Sequence, residues 1–292
     1  MKKLLCGILA GAVLALSFAG CGTSDSDSNK GTDNSGVTGE ITVVSREDGS
    51  GTRSAFTELL GIIDEQENDA TTETAEITNS TSVMITTVEG NKNAIGYVSL
   101  GSLSDTVKEV KVDGVEGTAE NVKNGTYKIS RPFNLAYYDG KLSEVAQDFV
   151  DFIMSSEGQE IVDKEGYISV EGGESYKSTG ISGKVTLAGS TSVAPLMNVI
   201  ADEYKKLNPD VSVEIQESGS SAGIQSAMQK AVDIGMSSRE LKDDEAKTLV
   251  TKQIAMDGIA VVINKENTIE SLTSDQIKSI YLGETTTWED VQ

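Results

Sequence analysis

The sequence predicts an α/β fold in which a short apolar strand leads into a polar turn and then into an amphipathic helix. This order occurs three times, around the turns Gly49-Ser50-Gly51-Thr52, Gly189-Ser190-Thr191-Ser192 and Gly219-Ser220-Ser221-Ala222-Gly223. Each turn follows an apolar or alternating run and precedes a helix with its apolar residues on one face. The length of 292 residues also suffices for two lobes of ordinary size.

The first half of the chain alternates between strands and helices. Ile41–Val44 predicts a buried strand, and the helix after it has Phe56, Leu59, Leu60 and Ile63 on one face. The further predictions in order are a helix over 83–88 capped by 79–82, a strand over 93–100 and a helical region over 142–164 that begins after Ser143 and breaks near Gly158. A polar, glycine-rich stretch over 171–183 then predicts a linker between two structural halves.

The second half repeats the pattern with better-defined strands. Strands are predicted at 185–188, 211–215 and 232–236, and helices are predicted after the turns at Gly189 and Gly219, the first with Pro195 in its first turn. The apolar run Ile254–Asn264 is long for a single strand and could pass from one lobe into another. A short helix over 272–281 follows, and the only tryptophan, Trp288, is expected to pack inside a lobe.

The first 39 residues predict a leader and a tether rather than part of the fold. A basic start and an apolar run over 4–18 precede Leu16-Ser17-Phe18-Ala19-Gly20-Cys21, which resembles a bacterial lipobox. The resemblance implies a signal peptide over 1–20, cleavage before Cys21 and a lipid on its thiol. A plain secretory signal with an incidental cysteine is the alternative. The polar stretch over 21–39 predicts a flexible tether. Together with the lipid that the resemblance implies, it would hold the protein at the extracytoplasmic face of the cell membrane.

Composition excludes several function classes. The net charge is −22, which argues against partnership with nucleic acid or an anionic lipid surface. The sequence contains no histidine, and its two cysteines are Cys6, inside the predicted leader, and Cys21. Histidine-based nucleophilic triads and His/Cys metal sites are therefore excluded. A Ser-Lys or carboxylate-only mechanism stays open, but no motif supports one, so we expect a protein that is not an enzyme and that uses no metal and no cofactor.

The three glycine- and serine-rich turns favour anion binding. A helix N-terminus carries about half a positive charge and several unpaired N–H donors, and Arg46 stands just before the first turn. One such turn is weak evidence, because serine, threonine and glycine cap helices whatever the function. Three in one chain suggest that several helix N-termini converge on one anion.

Six motifs together resemble the phosphate-binding proteins of ABC-type phosphate transporters. They are Ser45-Arg-Glu-Asp-Gly-Ser-Gly-Thr-Arg, Ala94-Ile-Gly-Tyr-Val, Gly189-Ser-Thr-Ser-Val-Ala-Pro, Gly219-Ser-Ser-Ala-Gly, Asp233-Ile-Gly-Met-Ser-Ser-Arg and Asp257-Gly-Ile-Ala-Val-Val-Ile-Asn. In that family the Gly189 motif comes first and the Arg46 motif comes after the segment that ends in Trp288. The order here indicates a circular permutation, in which 171–183 joins the family's usual ends; a truncated tandem duplication is the alternative.

The resemblance implies a two-lobed periplasmic-binding-protein fold of type II, with a central sheet in each lobe and two crossing strands as the hinge. Lobe A would comprise residues 129–256. Lobe B would be assembled from 40–128 and 257–292, so the start of the folded chain and its end should lie close together. The crossings would be Ile129–Tyr138 and Ile254–Ile263.

The resemblance also implies a function and a set of ligands. The lipoprotein would capture inorganic phosphate between its lobes and deliver it to the permease of an ABC transporter. The phosphate ligands would be Arg46, Ser50, Gly51, Thr52, Thr191, Ser192, Ser220 and Ser238, with Asp48, Ser221 and Arg239 in support.

One departure keeps alternatives open. Several relatives have an aspartate at the position of Ser238, where the carboxylate accepts the proton of hydrogen phosphate and repels sulfate. Serine lacks that charge. The discrimination between phosphate and sulfate would then require Asp48, Glu217 or Asp257 to supply the missing carboxylate. A binder of sulfate or molybdate, or a phosphate sensor for a signalling partner, therefore remains an alternative.

Overall fold

The computed structural model describes residues 37–291. The predicted signal peptide, Cys21 and most of the predicted tether lie outside this range. The strands are β1 (Thr42–Arg46), β2 (Glu76–Thr78), β3 (Ala94–Ser99), β4 (Val107–Val112), β5 (Ser130–Tyr137), β6 (Ile168–Ser169), β7 (Gly183–Gly189), β8 (Val211–Glu217), β9 (Ile234–Ser237), β10 (Val250–Asn264) and β11 (Ser271–Leu272). The helices are α1 (Gly51–Leu60), α2 (Thr81–Gly90), α3 (Ala119–Lys123), α4 (Glu144–Met154), α5 (Ser156–Lys164), α6 (Ala194–Leu207), α7 (Ser220–Met228), α8 (Asp243–Ala246) and α9 (Ser274–Tyr281).

One long strand connects two groups of strands. The main sheet has the order β2-β1-β3-β10-β5-β9-β7-β8, and β4, β6 and β11 join it off this path. Over Val250–Gly258, β10 pairs antiparallel with β5, and over Ile259–Ile263 it pairs with β3. The apolar run Ile254–Asn264, which looked long for one strand, is therefore part of a single strand of 15 residues that passes from one group of strands to the other.

The apolar side chains form two large cores, one on each group of strands. The first core contains buried residues between Phe133 and Ala255, on β5, β7, β9 and the helices α4 to α6. The second contains residues from 41–129 and 259–291, together with Ile168. Trp288 is buried in the second core, as expected. We keep the names lobe A and lobe B for these two parts; their boundaries at 128/129 and 256/257 stay a prediction.

The two ends of the described chain lie side by side, which is what the hypothesis of a circular permutation predicts. The backbone N–H of Ile41 donates to the carbonyl of Thr286 at 2.8 Å, and that of Trp288 donates to the carbonyl of Gly39 at 3.0 Å. The Glu289 carboxylate accepts from the N–H of Gly39 at 2.9 Å. Residues near both ends of the described chain therefore contribute to one core.

The helical region over 142–164 breaks at Ser155, and not near Gly158 as predicted. Ser155 ends α4 and caps α5: its hydroxyl accepts from the N–H of Gly158 at 3.1 Å and donates to the carbonyl of Phe152 at 2.7 Å. One serine side chain can serve both helix ends because it is donor and acceptor at once. Ser143 caps α4 as predicted.

The predicted linker over 171–183 has no regular structure before β7 begins at Gly183, yet it is attached to lobe A. The Glu157 carboxylate accepts from the hydroxyl of Ser175 and from the N–H of Tyr176. The Tyr176 hydroxyl donates to Asp148 at 2.5 Å. Within residues 37–291, no helix is long and apolar enough to cross a membrane.

Candidate anion site between the lobes

Arg46 ends β1 and points into the contact between the two lobes. Its side chain is 2% exposed, and its Nη2 donates to the Thr191 hydroxyl of lobe A at 2.9 Å. The Glu47 carboxylate accepts from Nε and from Nη2 of Arg46, both at 2.8 Å. The main chain of Arg46 is held as well, because its N–H donates to the Tyr97 hydroxyl at 3.2 Å. A buried guanidinium with a paired carboxylate is thus fixed against lobe A.

Helix α1 begins directly after Arg46 and brings its N-terminus to the same place. Ser50 caps the helix and is buried. The Thr52 hydroxyl lies 2.8 Å from the hydroxyl of Ser192 in lobe A. At Gly51 a side chain has no room, because a Cβ there would lie 2.3 Å from the Oγ of Ser220 and 2.7 Å from that of Ser238. Glycine therefore permits the backbone of lobe B to approach lobe A closely.

The turn between β7 and α6 supplies hydroxyls from lobe A. Its shape depends on Gly189, which has a φ of +146° and where a Cβ would lie 2.2 Å from the carbonyl oxygen of Met236. Behind it, the Ser190 hydroxyl donates to the Ser238 hydroxyl at 2.8 Å. Ser190, Thr191 and Ser192 are all buried.

Ser238 is held from several sides on the turn after β9. Its N–H donates to the Ser220 hydroxyl at 3.1 Å, and the two hydroxyls lie 3.4 Å apart. Ser220 is the first residue of α7. The next residue connects the lobes, since the N–H of Ser221 donates to the carbonyl of Gly49 at 3.0 Å.

Thr81, a residue that the sequence analysis did not assign to the site, lies at the N-terminus of α2. Its hydroxyl is 3.3 Å from that of Thr191 and 3.4 Å from that of Ser192. The sequence analysis had predicted that residues 79–82 cap this helix. A fourth helix that begins with hydroxyl residues was the sequence feature that could have indicated a role for Thr81 at the site. Four helix N-termini, of α1, α2, α6 and α7, therefore lie around the same group of hydroxyls.

The three supporting residues have different surroundings. The Asp48 side chain is 99% exposed and pairs with Arg53 at 3.1 Å, so Glu47 occupies the place beside Arg46. Arg239 is buried and pairs with Glu245 through both of its terminal nitrogens, at 2.8 and 2.9 Å. It also donates to the Ser221 hydroxyl at 3.1 Å.

Of the three carboxylates that could replace the aspartate absent at Ser238, only Asp257 is buried. Glu217, like Asp48, is exposed. Asp257 is 1% exposed and pairs with Arg131 at 3.1 Å. Burial raises the pKa of Asp257 to about 6, although Arg131 and Ser99 oppose the shift.

The assembled groups are almost all hydrogen-bond donors. Hydroxyls, backbone N–H groups at helix N-termini and one guanidinium can surround a tetrahedral oxyanion and neutralise its charge. Burial raises the pKa of Tyr97, which touches Ser45 and the N–H of Arg46, to about 12, so this phenol stays neutral near pH 7.

Comparison with known proteins gives a consistent result. A family model described as the PBP superfamily domain matches residues 2–157 and 174–292. The phosphate-binding protein PstS 2 of Streptococcus agalactiae is 49% identical over 279 residues, which cover 94% of this chain and 92% of the relative. PstS 2 of Streptococcus pneumoniae is 42% identical over 282 residues, covering 95% and 97%.

A solved structure of a related protein has a similar fold. The crystal structure of a phosphate-binding protein of a phosphate ABC transporter from Streptococcus pneumoniae TIGR4 is 45% identical, covers 87% of this chain and 100% of its own, and has a TM-score of 0.70. The two-lobed α/β fold implied by the motifs is confirmed by these likenesses. Because the sequence alignments extend over nearly the whole of both chains, the order of motifs is shared with these relatives.

Proposed function

We propose that this chain, which belongs to the PBP superfamily and within it to the family of PstS phosphate-binding proteins, captures inorganic phosphate between its two lobes and delivers it to an ABC permease. The observation that carries the proposal is the meeting of Arg46 with hydroxyls from both lobes at four helix N-termini. Its relatives are named as binding proteins, and the role proposed here is binding without catalysis.

The proposed ligands are those that the motifs implied, with two additions. Arg46 donates to phosphate oxygens, and Gly51 contributes its N–H. The hydroxyl ligands are Ser50, Thr52, Thr191, Ser192, Ser220 and Ser238, and the structure adds Thr81 and Ser190 as candidates because they hydrogen-bond to members of this group. Each charge-assisted hydrogen bond to a buried anion contributes about 1.5–3 kcal/mol.

Binding is coupled to lobe closure. Ligands come from lobe A (129–256) and from lobe B (40–128 with 257–292), so an anion between them stabilises the closed form over the open one. The paired strands β5 and β10 are the proposed hinge. The permease then recognises the closed form.

We further propose that the protein is held at the extracytoplasmic face of the membrane by a lipid on Cys21. The lipobox-like sequence before this cysteine supports the proposal. Labelling of growing cells with a radioactive fatty acid should mark the wild-type protein and leave a Cys21→Ser variant unmarked. Equal labelling of both would contradict the anchor.

Isothermal titration of residues 37–292 with phosphate at pH 7 tests the binding function. We expect saturable heat at one site, and at a thousand times the Kd a stabilisation of about 4 kcal/mol, visible as a raised Tm. Sulfate and molybdate serve as competitors. Absence of heat together with an unchanged Tm would refute phosphate binding, and stronger binding of sulfate or molybdate would favour the other-oxyanion alternative.

A further inference from the structure

A buried ion pair lies beside the proposed phosphate site and has no role in the binding described so far. Arg131 on β5 and Asp257 on β10 stand directly opposite each other in the strand register. Asp257 Oδ2 accepts from Nη2 of Arg131 at 3.1 Å and from Nε at 3.3 Å. Both side chains are 1% exposed. The pair thus occupies the two strands that connect the lobes.

Arg131 reaches from this pair to the anion site. Its Nη1 donates to the carbonyl oxygen of Ser238 at 3.3 Å, and the Ser238 hydroxyl touches Ser190 and Ser220. Burial lowers the pKa of Arg131, Asp257 opposes this effect, and the positive charge of Arg46 lowers it further. The two guanidiniums therefore act on each other electrostatically, and Arg131 contributes to the field at the site.

We propose that Asp257 sets, through Arg131, the net positive charge that the site presents, so that binding of a doubly charged oxyanion is coupled to uptake of a proton by the Asp257 carboxylate. This inference rests on the proposed phosphate function. When Asp257 is ionised, each guanidinium is paired, Arg131 with Asp257 and Arg46 with Glu47. When Asp257 is protonated, the charge of Arg131 is uncompensated and available to attract the anion.

The groups that face Asp257 allow its carboxylate to take up a proton near neutral pH. Ser99 on β3 donates to its Oδ1 at 2.9 Å, and Arg131 lies opposite on β5. Two tyrosines are also near, because the charge of Asp257 raises the pKa of Tyr127 and that of Tyr167. Burial raises the pKa of Tyr127 far above its ordinary value and that of Tyr167 to about 12, so both stay neutral between pH 5 and pH 8. Among the groups in direct contact with Asp257, only this carboxylate titrates there, because burial raises its pKa to about 6. Glu109 on β4, which acts on Tyr127, also titrates in this range, since burial raises its pKa to about 7; it is unchanged in Asp257→Asn, so the comparison of the two proteins isolates Asp257.

The sign of the effect follows from linkage. Above the pKa of Asp257 the free site carries an ionised carboxylate, and the incoming dianion raises that pKa by repulsion. An Asp257→Asn variant has no such charge at any pH. We therefore expect Asp257→Asn to bind phosphate about tenfold more tightly than wild type at pH 8 and equally at pH 5. The titration of phosphate itself affects both proteins alike.

Isothermal titration with inorganic phosphate from pH 5 to pH 8, in pairs of buffers with different ionisation enthalpies, gives affinity and proton uptake together. Near pH 6.5 wild type should take up a larger fraction of a proton than Asp257→Asn. Asp148→Asn is the matched control, since it replaces a carboxylate that accepts from Tyr176 and Tyr204 in lobe A; it should follow wild type at every pH.

Weaker phosphate binding by Asp257→Asn at all pH values, or affinity and proton uptake that parallel wild type, would overturn the inference. If Asp257→Asn does not fold, Ser99→Ala decides: it removes a hydrogen bond to the ionised carboxylate, and the pH at which the affinity changes should move upward. An unmoved profile would count against the proposal. A wild-type protein that binds no phosphate would instead refute the proposed function.

Discussion

Arg46 carries a full positive charge on a side chain that is almost completely buried, and its position depends on contacts in both lobes. Glu47 orients the guanidinium, and the Thr191 hydroxyl accepts a hydrogen bond from it. A neutral side chain of similar length would keep the packing and lose these charge-assisted bonds. The residue is therefore a direct test of the proposed ligand set.

We expect Arg46→Met to weaken phosphate binding by at least about 2 kcal/mol, roughly thirtyfold, because one or more charge-assisted hydrogen bonds are lost. Titration calorimetry measures the change. Lys184→Met is the control, since Lys184 is exposed and pairs with the exposed Glu214; the affinity of this variant should equal that of wild type. An Arg46→Met protein with unchanged affinity would remove Arg46 from the site.

Gly51 tests the close contact between the lobes. A Cβ at this position would meet the Oγ atoms of Ser220 and Ser238, so Gly51→Ala should hinder closure and weaken phosphate binding by about 1.4 kcal/mol or more, which is tenfold. Gly90→Ala is the matched control, because a Cβ there meets nothing within 4 Å. Calorimetric titration of both variants with phosphate separates a blocked closure from a general effect of the added methyl group. Equal phosphate affinities of Gly51→Ala and Gly90→Ala would show that the contact at Gly51 does not matter for binding.

At the scale of elements, the linker over 171–183 is held in part through the Glu157 carboxylate of α5 and in part through the contact of Tyr176 with Asp148. Hydrogen bonds from Ser175 and from the N–H of Tyr176 lower the pKa of Glu157 to about 2. A carboxylate with a lowered pKa stabilises the folded linker above its ordinary pKa, and the effect disappears as pH falls through about 2. The attachment should therefore persist over the whole physiological range.

Glu157→Gln should loosen this attachment and expose the linker to proteases. We expect trypsin to cleave after Lys177 several times faster in the variant than in wild type, with little change in phosphate affinity. Glu160→Gln, an exposed change on the same helix, is the control. Gel electrophoresis measures the rate of cleavage. Equal rates in wild type, Glu157→Gln and Glu160→Gln would show that Glu157 does not hold the linker.

At the scale of the whole molecule, we propose that the motif order arose by circular permutation. The PstS 2 relatives have the same motif order, so the permutation would be common to them and this chain. The ends of the described chain pair with each other near Gly39 and Glu289, and the linker over 171–183 is the one place where the proposed join would lie. Termini that lie close together at the surface tolerate relocation.

A protein that begins at Ser182, continues to Val291, and passes through a short glycine-rich connection into Gly39 and on to Ser169 should therefore fold. Its phosphate affinity should be close to that of wild type, because no proposed ligand lies in the removed segment. Its free energy of unfolding in urea should be lower, since the contacts of Ser175 and Tyr176 are lost. Failure to fold would show that the linker is part of the structure and not a join.

The sequence alone determined the α/β alternation and the turns that begin α1, α6 and α7, because strand periodicity and helix capping are local properties of the chain. The proposed ligands followed instead from the motifs that resemble phosphate-binding proteins, and their role in binding stays a prediction. The sequence did not indicate that Thr81 and Ser190 contact the proposed ligands, and it placed the helix break near Gly158 instead of at Ser155. Only the tertiary structure decided these points. Whether a hydroxyl caps its own helix, serves two helix ends or faces another lobe depends on what packs opposite, and for Thr81 the opposite residues are 110 and 111 positions away in the sequence.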